Sequence, residues 1–151
     1  MQKILLAIDF SPTTPLIIEK AKLLASKFNS EVWLLHVAPP DPDFVGYKVG
    51  PAQVRHFVAE PLSHEHHQLQ LLADDLRQDG INAIALSIQG PTIEVILQET
   101  QKLAADLLII TSHSHNSLYK ALVGSVSESI ICHVQCPVLV IPASLISNKN
   151  V

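Results

Sequence analysis

An α/β domain built on a parallel sheet is the fold class that this sequence predicts, and three observations lead to it. Apolar runs of strand length alternate with segments of helical period, giving the order β-α-β-α-β-α-β-α-β. Several runs are continuously apolar, as strands buried on both faces must be. Pro, Gly and Asp stand where helices have to start or stop. Such alternation favours a parallel sheet with helices on both faces, because right-handed crossovers place them there. A length of 151 residues fits one domain with one sheet.

The elements follow in order. Lys3 to Ile8 is a continuous apolar run ending at Asp9 and predicts the first strand. Thr14-Pro15 predicts a helix start, with Thr14 as N-cap and Pro15 at the first helical position. Ile17, Ala21, Leu24, Ala25 and Phe28 then fall on one helix face. Val32 to Val37 predicts the second strand. Ala38 to Ala52, with Pro39, Pro40, Pro42, Gly46, Gly50 and Pro51, predicts a long loop of the kind often used for function.

A helix follows to about Gln78, with Leu69, Leu72 and Leu76 on its inner face. Pro61 either starts that helix or kinks it. Asp79-Gly80 stops it, and Asn82 to Ile88 predicts the third strand. Gly90-Pro91 opens a helix carrying Ile93, Ile96, Leu97, Thr100 and Ala104. Asp106 to Thr111, a helix from Gly124 to His133, and Val138 to Ile141 complete the chain. The predicted organisation is a single domain over 1–145 with a tail at 146–151.

Composition excludes several classes. The charged fraction is 16% and the hydrophobic fraction 48%, which argues against disorder. Net charge is −4 and the Lys and Arg are scattered, so no nucleic-acid partner is expected. No apolar run reaches the roughly 18 residues of a membrane span, and the first apolar segment is too short for a signal peptide. No membrane association and a cytoplasmic location are therefore expected. Cys132 and Cys136 are the two cysteines, read as small core or near-core residues.

In doubly wound sheets, ligands bind beyond the carboxyl ends of strands, where strand order reverses. The residues at those ends are Asp9, Val37, Gln89-Gly90 and the stretch Thr111 to His115. Asp9 at a strand-to-helix junction reads either as a ligand contact or as a cap for the next helix.

Leu107-Leu108-Ile109-Ile110-Thr111-Ser112-His113-Ser114-His115 leads to Leu122-Val123-Gly124-Ser125-Val126, and then to Cys136-Pro137-Val138-Leu139-Val140-Ile141-Pro142. This stretch resembles the universal stress protein family. Nucleotide-binding members carry G-x-x-G-x9-G-[S/T] here, followed by a helix and a C-P-V-L-V-type strand. The opening Ile4 to Asp9 and the His36-Val37 strand end are similar to that family too.

The resemblance implies a five-stranded doubly wound sheet of the Rossmann-like, adenine nucleotide alpha hydrolase-like type. It also implies a homodimer through the last strand, Val138 to Ile141. ATP or another adenine nucleotide is the implied cofactor, with no metal beyond the Mg2+ that accompanies ATP. By that resemblance Asp9 and Val37 hold the nucleoside. Thr111, Ser112, His113, Ser114, Gly124, Ser125 and Val126 surround the phosphates.

Two positions depart from the pattern. Thr111 and Ser114 stand where the family has its first two glycines, while Gly124 and Ser125 are retained with nine residues between Ser114 and Gly124. Glycines let a backbone approach phosphates and reach positive φ. Thr111 at a strand end need not adopt positive φ, whereas a Ser114 side chain can either crowd a phosphate or donate to it. Free N–H groups at the helix start still favour an anion.

The expected function is a nucleotide-sensing stress protein; the alternative is a dimeric interaction protein of the same family that binds no nucleotide, with an unidentified protein partner. An enzyme is not expected. No Walker motif or nucleophile elbow exists, and any ATP hydrolysis would be slow without a general base. His56, His64, His66 and His67, near Glu60 and Glu65, read as a solvated polar face rather than a metal site. His36 reads as a core or junction histidine.

Overall fold

The computed structural model describes residues 1–40, 52–112 and 125–147, with positions 52–62, 125, 146 and 147 as backbone only. The elements are β1 (Lys3–Ile8), α1 (Thr14–Phe28), β2 (Glu31–Ala38), α2 (Ala52–Gln78), β3 (Ala83–Gln89), α3 (Thr92–Lys102), β4 (Leu107–Ser112), α4 (Ser125–His133), β5 (Val138–Pro142) and α5 (Ser144–Ser147). The strands form one sheet in the order β3-β2-β1-β4-β5, and every neighbouring pair is parallel. This is the expected five-stranded doubly wound sheet.

The apolar run of β1 explains its place in the middle. Ile4, Leu6 and Ile8 point to one face, where they pack with Ile17, Ala21 and Ala25 of α1 and with Leu69, Ala73 and Leu76 of α2. Leu5 points to the other face, with Leu35, Val95, Ile96, Leu108, Ile110 and Ile130. A strand whose residues alternate between two cores must be apolar throughout. Each fully buried Ile or Leu contributes about 1.5–3 kcal/mol relative to exposure.

The differences from the sequence-based expectations are local. The N-cap of α1 is Thr13, one residue before the expected Thr14, and Pro lies in the first helical turn as expected. Phe28 closes α1 but is exposed, because the chain turns away at Asn29, which adopts the left-handed conformation at φ 52°. In α3 the buried positions are Val95, Ile96, Glu99 and Thr100, so the inner face is rotated from the expected one. Ala104 lies past the C-cap Leu103, exposed and at φ 50°. Helix α2 begins at Ala52, so position 61 is interior to it rather than its start. Cys132 is exposed on α4, and only Cys136 is partly buried. Burial pushes the Cys136 thiol up from its ordinary pKa. Residues 41–51 of the expected loop lie outside the described residues.

Gly90 joins β3 to α3. Its amide donates to the Ala38 carbonyl at 3.0 Å. A Cβ at this position would stand 2.9 Å from Val95 Cγ2. The glycine thus lets α3 start close against the ends of β2 and β3. Among the described residues, no helix is long and apolar enough to cross a membrane.

Candidate functional site

The site lies where the strand order reverses, between β1 and β4. Main-chain pairing of these two strands covers Ile4↔Leu107, Leu5↔Leu108 and Leu6↔Ile109, then stops. On either side the ladders run further, to Ile8↔His36 between β1 and β2 and to Ser112↔Pro142 between β4 and β5. The carboxyl ends of β1 and β4 therefore diverge and open a crevice, as the switch point of a doubly wound sheet does.

A cavity of about 490 Å3 occupies this crevice on the face covered by α3 and α4. Its size falls within the roughly 300–1,000 Å3 of small-molecule sites. Ala7, Leu35, Val37, Ile96, Ile110 and Ile130 make its apolar walls. Polar side chains come from Asp9, Thr92, Thr111 and Ser127, and Val126 stands beside Ser127 in the first turn of α4. An apolar slot with a few polar groups around it suits a flat heteroaromatic body bearing hydroxyls or an anion.

Asp9 is held from two sides. Its Oδ1 accepts the Ser11 N–H at 3.0 Å, and its Oδ2 accepts the Thr111 hydroxyl at 3.1 Å. The N-cap position of α1 belongs to Thr13, so the cap reading of Asp9 does not describe its place here. Thr111 belongs to the extended strand β4, and the positive φ values outside glycine among the described residues are at Phe10, Asn29 and Ala104. Thr111 therefore carries no left-handed strain where the family pattern has glycine. Its carbonyl accepts the hydroxyl of Ser127, a buried residue, at 3.1 Å.

His36 supports the same end of the sheet from beneath. Its ring is buried, and Nδ1 donates to the Ile8 carbonyl at 2.8 Å. Nε2 lies 3.2 Å from Glu65 Oε2 of α2, an ion pair when the ring is protonated. Phe10 packs against it with ring centroids 4.7 Å apart and the rings tilted by 50°. The ring thus ties the end of β1 to α2, the junction role expected for it.

Of the residues singled out from sequence, Asp9, Val37, Thr111 and Val126 line the cavity. Ser112 does not; it is buried, and its carbonyl accepts the Ala143 N–H at 3.0 Å. Ser125 opens α4, and His113, Ser114 and Gly124 lie outside the described residues. Thr92 and Ser127 were not singled out. Each sits at a helix start that was recognised, but only the sheet order aims those two starts at one crevice. His64, His66 and His67 are exposed on α2. Among the described residues, no group of three or more His, Cys, Asp or Glu could hold a metal ion.

Asp106 sits at the opposite end of the strands, just before β4. Its Oδ2 accepts the N–H groups of Gln2 and Lys3 at 2.6 and 2.9 Å. Those two amides, Lys3 first, hold its carboxyl below the usual carboxylate pKa.

A model of the universal stress protein family matches residues 1–142. A universal stress protein of Synechocystis sp. is 26% identical over 148 residues, covering 92% of this chain and 96% of that protein. One from Methanocaldococcus jannaschii is 27% identical over 152 residues, covering 93% of this chain and 94% of the other. The solved structure of the latter has a TM-score of 0.72 at 26% identity, over 93% of this chain and 95% of that one. An Arabidopsis thaliana family protein solved with AMP bound has a TM-score of 0.59 at 21% identity, over 94% and 92% of the two chains, a likeness of fold.

Proposed function

The chain belongs to the universal stress protein family, and we propose that it binds an adenine nucleotide as a regulatory module of a cytoplasmic stress response. The observation that carries this reading is the cavity at the switch point, apolar within and bounded by Asp9 and the start of α4. An adenine ring fits between Val37, Leu35 and Ile110. The ribose then reaches Asp9, and the phosphates run toward Ser125, Val126 and Ser127, whose N–H groups open α4. His113, Ser114 and Gly124 join the phosphate site in this reading. The same fold carries AMP in the Arabidopsis thaliana protein.

The role is binding rather than turnover. Asp9 already accepts from Ser11 and Thr111, which suits a ligand contact better than a base poised to take a proton from water. Mg2+ is needed only where ATP brings it. Equilibrium binding of labelled ATP, ADP and AMP to nucleotide-free protein tests the reading. Saturable binding below millimolar concentration is expected, and none at millimolar nucleotide would refute it.

A second role is favoured by the outer edge of the sheet. β5 is an edge strand whose Val138, Leu139 and Val140 are only partly buried. Ile131 and Leu145 add exposed apolar surface nearby in sequence, at 42% and 47% exposure. Such an edge needs a cover, and a homodimer paired through Val138–Ile141 supplies one. Sedimentation at micromolar concentration should show a dimer; a monomer there would remove the interface.

A further inference from the structure

We propose that Thr111 is a positioning residue that orients the Asp9 carboxylate at the mouth of the cavity. Main-chain pairing between β1 and β4 ends at Leu6↔Ile109, so beyond it no ladder bond sets the two strand ends relative to each other. The Thr111 hydroxyl crosses that gap to Asp9 Oδ2 at 3.1 Å. Thr111 itself is pinned. Its backbone is in register with Ile141 of β5, and its carbonyl is held by Ser127 at 3.1 Å.

A β-branched side chain on a fixed strand has few χ1 choices. The direction of its hydroxyl is therefore set by the backbone that carries it. With the Ser11 N–H on Oδ1 at 3.0 Å, Asp9 is gripped through both oxygens. A glycine at position 111 has no hydroxyl to give. The threonine in the place of the family's first glycine is thus a second way of ordering the site, not a damaged copy of the first.

The ligand consequence rests on the adenine-nucleotide reading. With Asp9 taking the ribose hydroxyls, Thr111 governs the sugar contact and leaves the base contact alone. Two measurements decide the matter separately. The first needs no nucleotide: a carbon-detected NMR titration of the Asp9 carboxyl in the wild type, Thr111→Ser, Thr111→Val and Thr111→Gly. A hydroxyl donated to a carboxylate favours its charged form, so loss of that hydroxyl in T111V and T111G should raise the Asp9 midpoint by about half a unit. T111S keeps the donor but loses the methyl that restricts χ1, and should titrate between the wild type and T111V. Coincident curves for all four proteins overturn the proposal. Should T111V not fold, T111S against T111G makes the same comparison.

The second measurement compares AMP with 2′,3′-dideoxy-AMP. T111V should weaken AMP binding by about fivefold and leave the dideoxy analogue unchanged, the loss expected for one hydrogen bond to a charged group at an exposed site. Equal losses on both analogues, or tighter AMP binding in T111G, overturn the positioning of the ribose contact. Failure of the wild type to bind AMP removes the nucleotide reading and leaves the titration to decide Thr111.

Discussion

Asp106 and Asp9 are exposed carboxylates that bridge β1 and β4 at opposite ends of the same strand pair, yet only Asp9 faces a cavity. At the amino end the two strands start together. The Asp106 N–H donates to the Lys3 carbonyl at 2.9 Å while its side chain accepts the Gln2 and Lys3 amides. Backbone donors are obligatory partners, and Asp106 satisfies them. At the carboxyl end the strands have parted, and Asp9 accepts the Ser11 amide and the Thr111 hydroxyl. The lesson is that residue type does not separate a structural carboxylate from a ligand-facing one. The divergence of the strands does, because only a gap in the ladder leaves space for a ligand.

The largest effect that can break this contrast is on binding. Asp9→Asn should lower adenine-nucleotide affinity by about tenfold or more, the scale of a lost charge-assisted bond. Its thermal stability should stay near that of the wild type. Asp106→Asn should do the reverse, keeping affinity and losing stability. Calorimetric titration with AMP and a melting curve for each variant check both halves; equal binding losses would end the distinction.

The walls of the crevice come next. Gly90→Ala places a Cβ 2.9 Å from the stiff Val95 side chain. Overpacking of this kind should cost about 1–3 kcal/mol in urea unfolding. Ser127→Ala removes the bond to the Thr111 carbonyl and should cost about 1 kcal/mol by the same measurement. A larger loss for S127A than for G90A would show that the α4 contact, rather than the α3 approach, sets the shape of the crevice.

The smallest effect is the pH dependence of Asp106→Asn. The Asp106 carboxyl is held below its usual pKa by the Lys3 and Gln2 amides. A depressed carboxylate stabilises the fold above its unfolded pKa of about 3.9 and loses that contribution as pH falls through the lower folded value. The stability gap between wild type and D106N should therefore be constant from about pH 5 upward and close in acid. A gap that persists at the acid end would mean that shape rather than charge makes the difference.

Much of the fold was legible because its signals are local. The apolar run from Lys3 to Ile8 gave β1 without error, and Thr14-Pro15 missed the cap of α1 by one residue. Helix faces were less secure. In α3, Val95 and Glu99 are buried and Ala104 is not, and Val95 packs where a Cβ on Gly90 would stand. Glu99 is buried with Lys102 Nζ at 3.1 Å, a pairing that hydrophobic periodicity does not report. Cys132 was read as core or near-core and is exposed, since it stands two residues from the buried Ile130, on the opposite face of α4.

For this protein the sequence by itself determined the alternation of elements, the family, and the residues that stand at strand ends. Those depend on side-chain period, on cap and turn chemistry, and on a motif with fixed spacing. The tertiary structure alone decided that β1 and β4 are neighbours, that their ladder stops at Leu6↔Ile109, and that Thr111 reaches Asp9 across the gap. Strand order is a matter of long-range pairing, and residues 102 positions apart leave no local trace of their meeting.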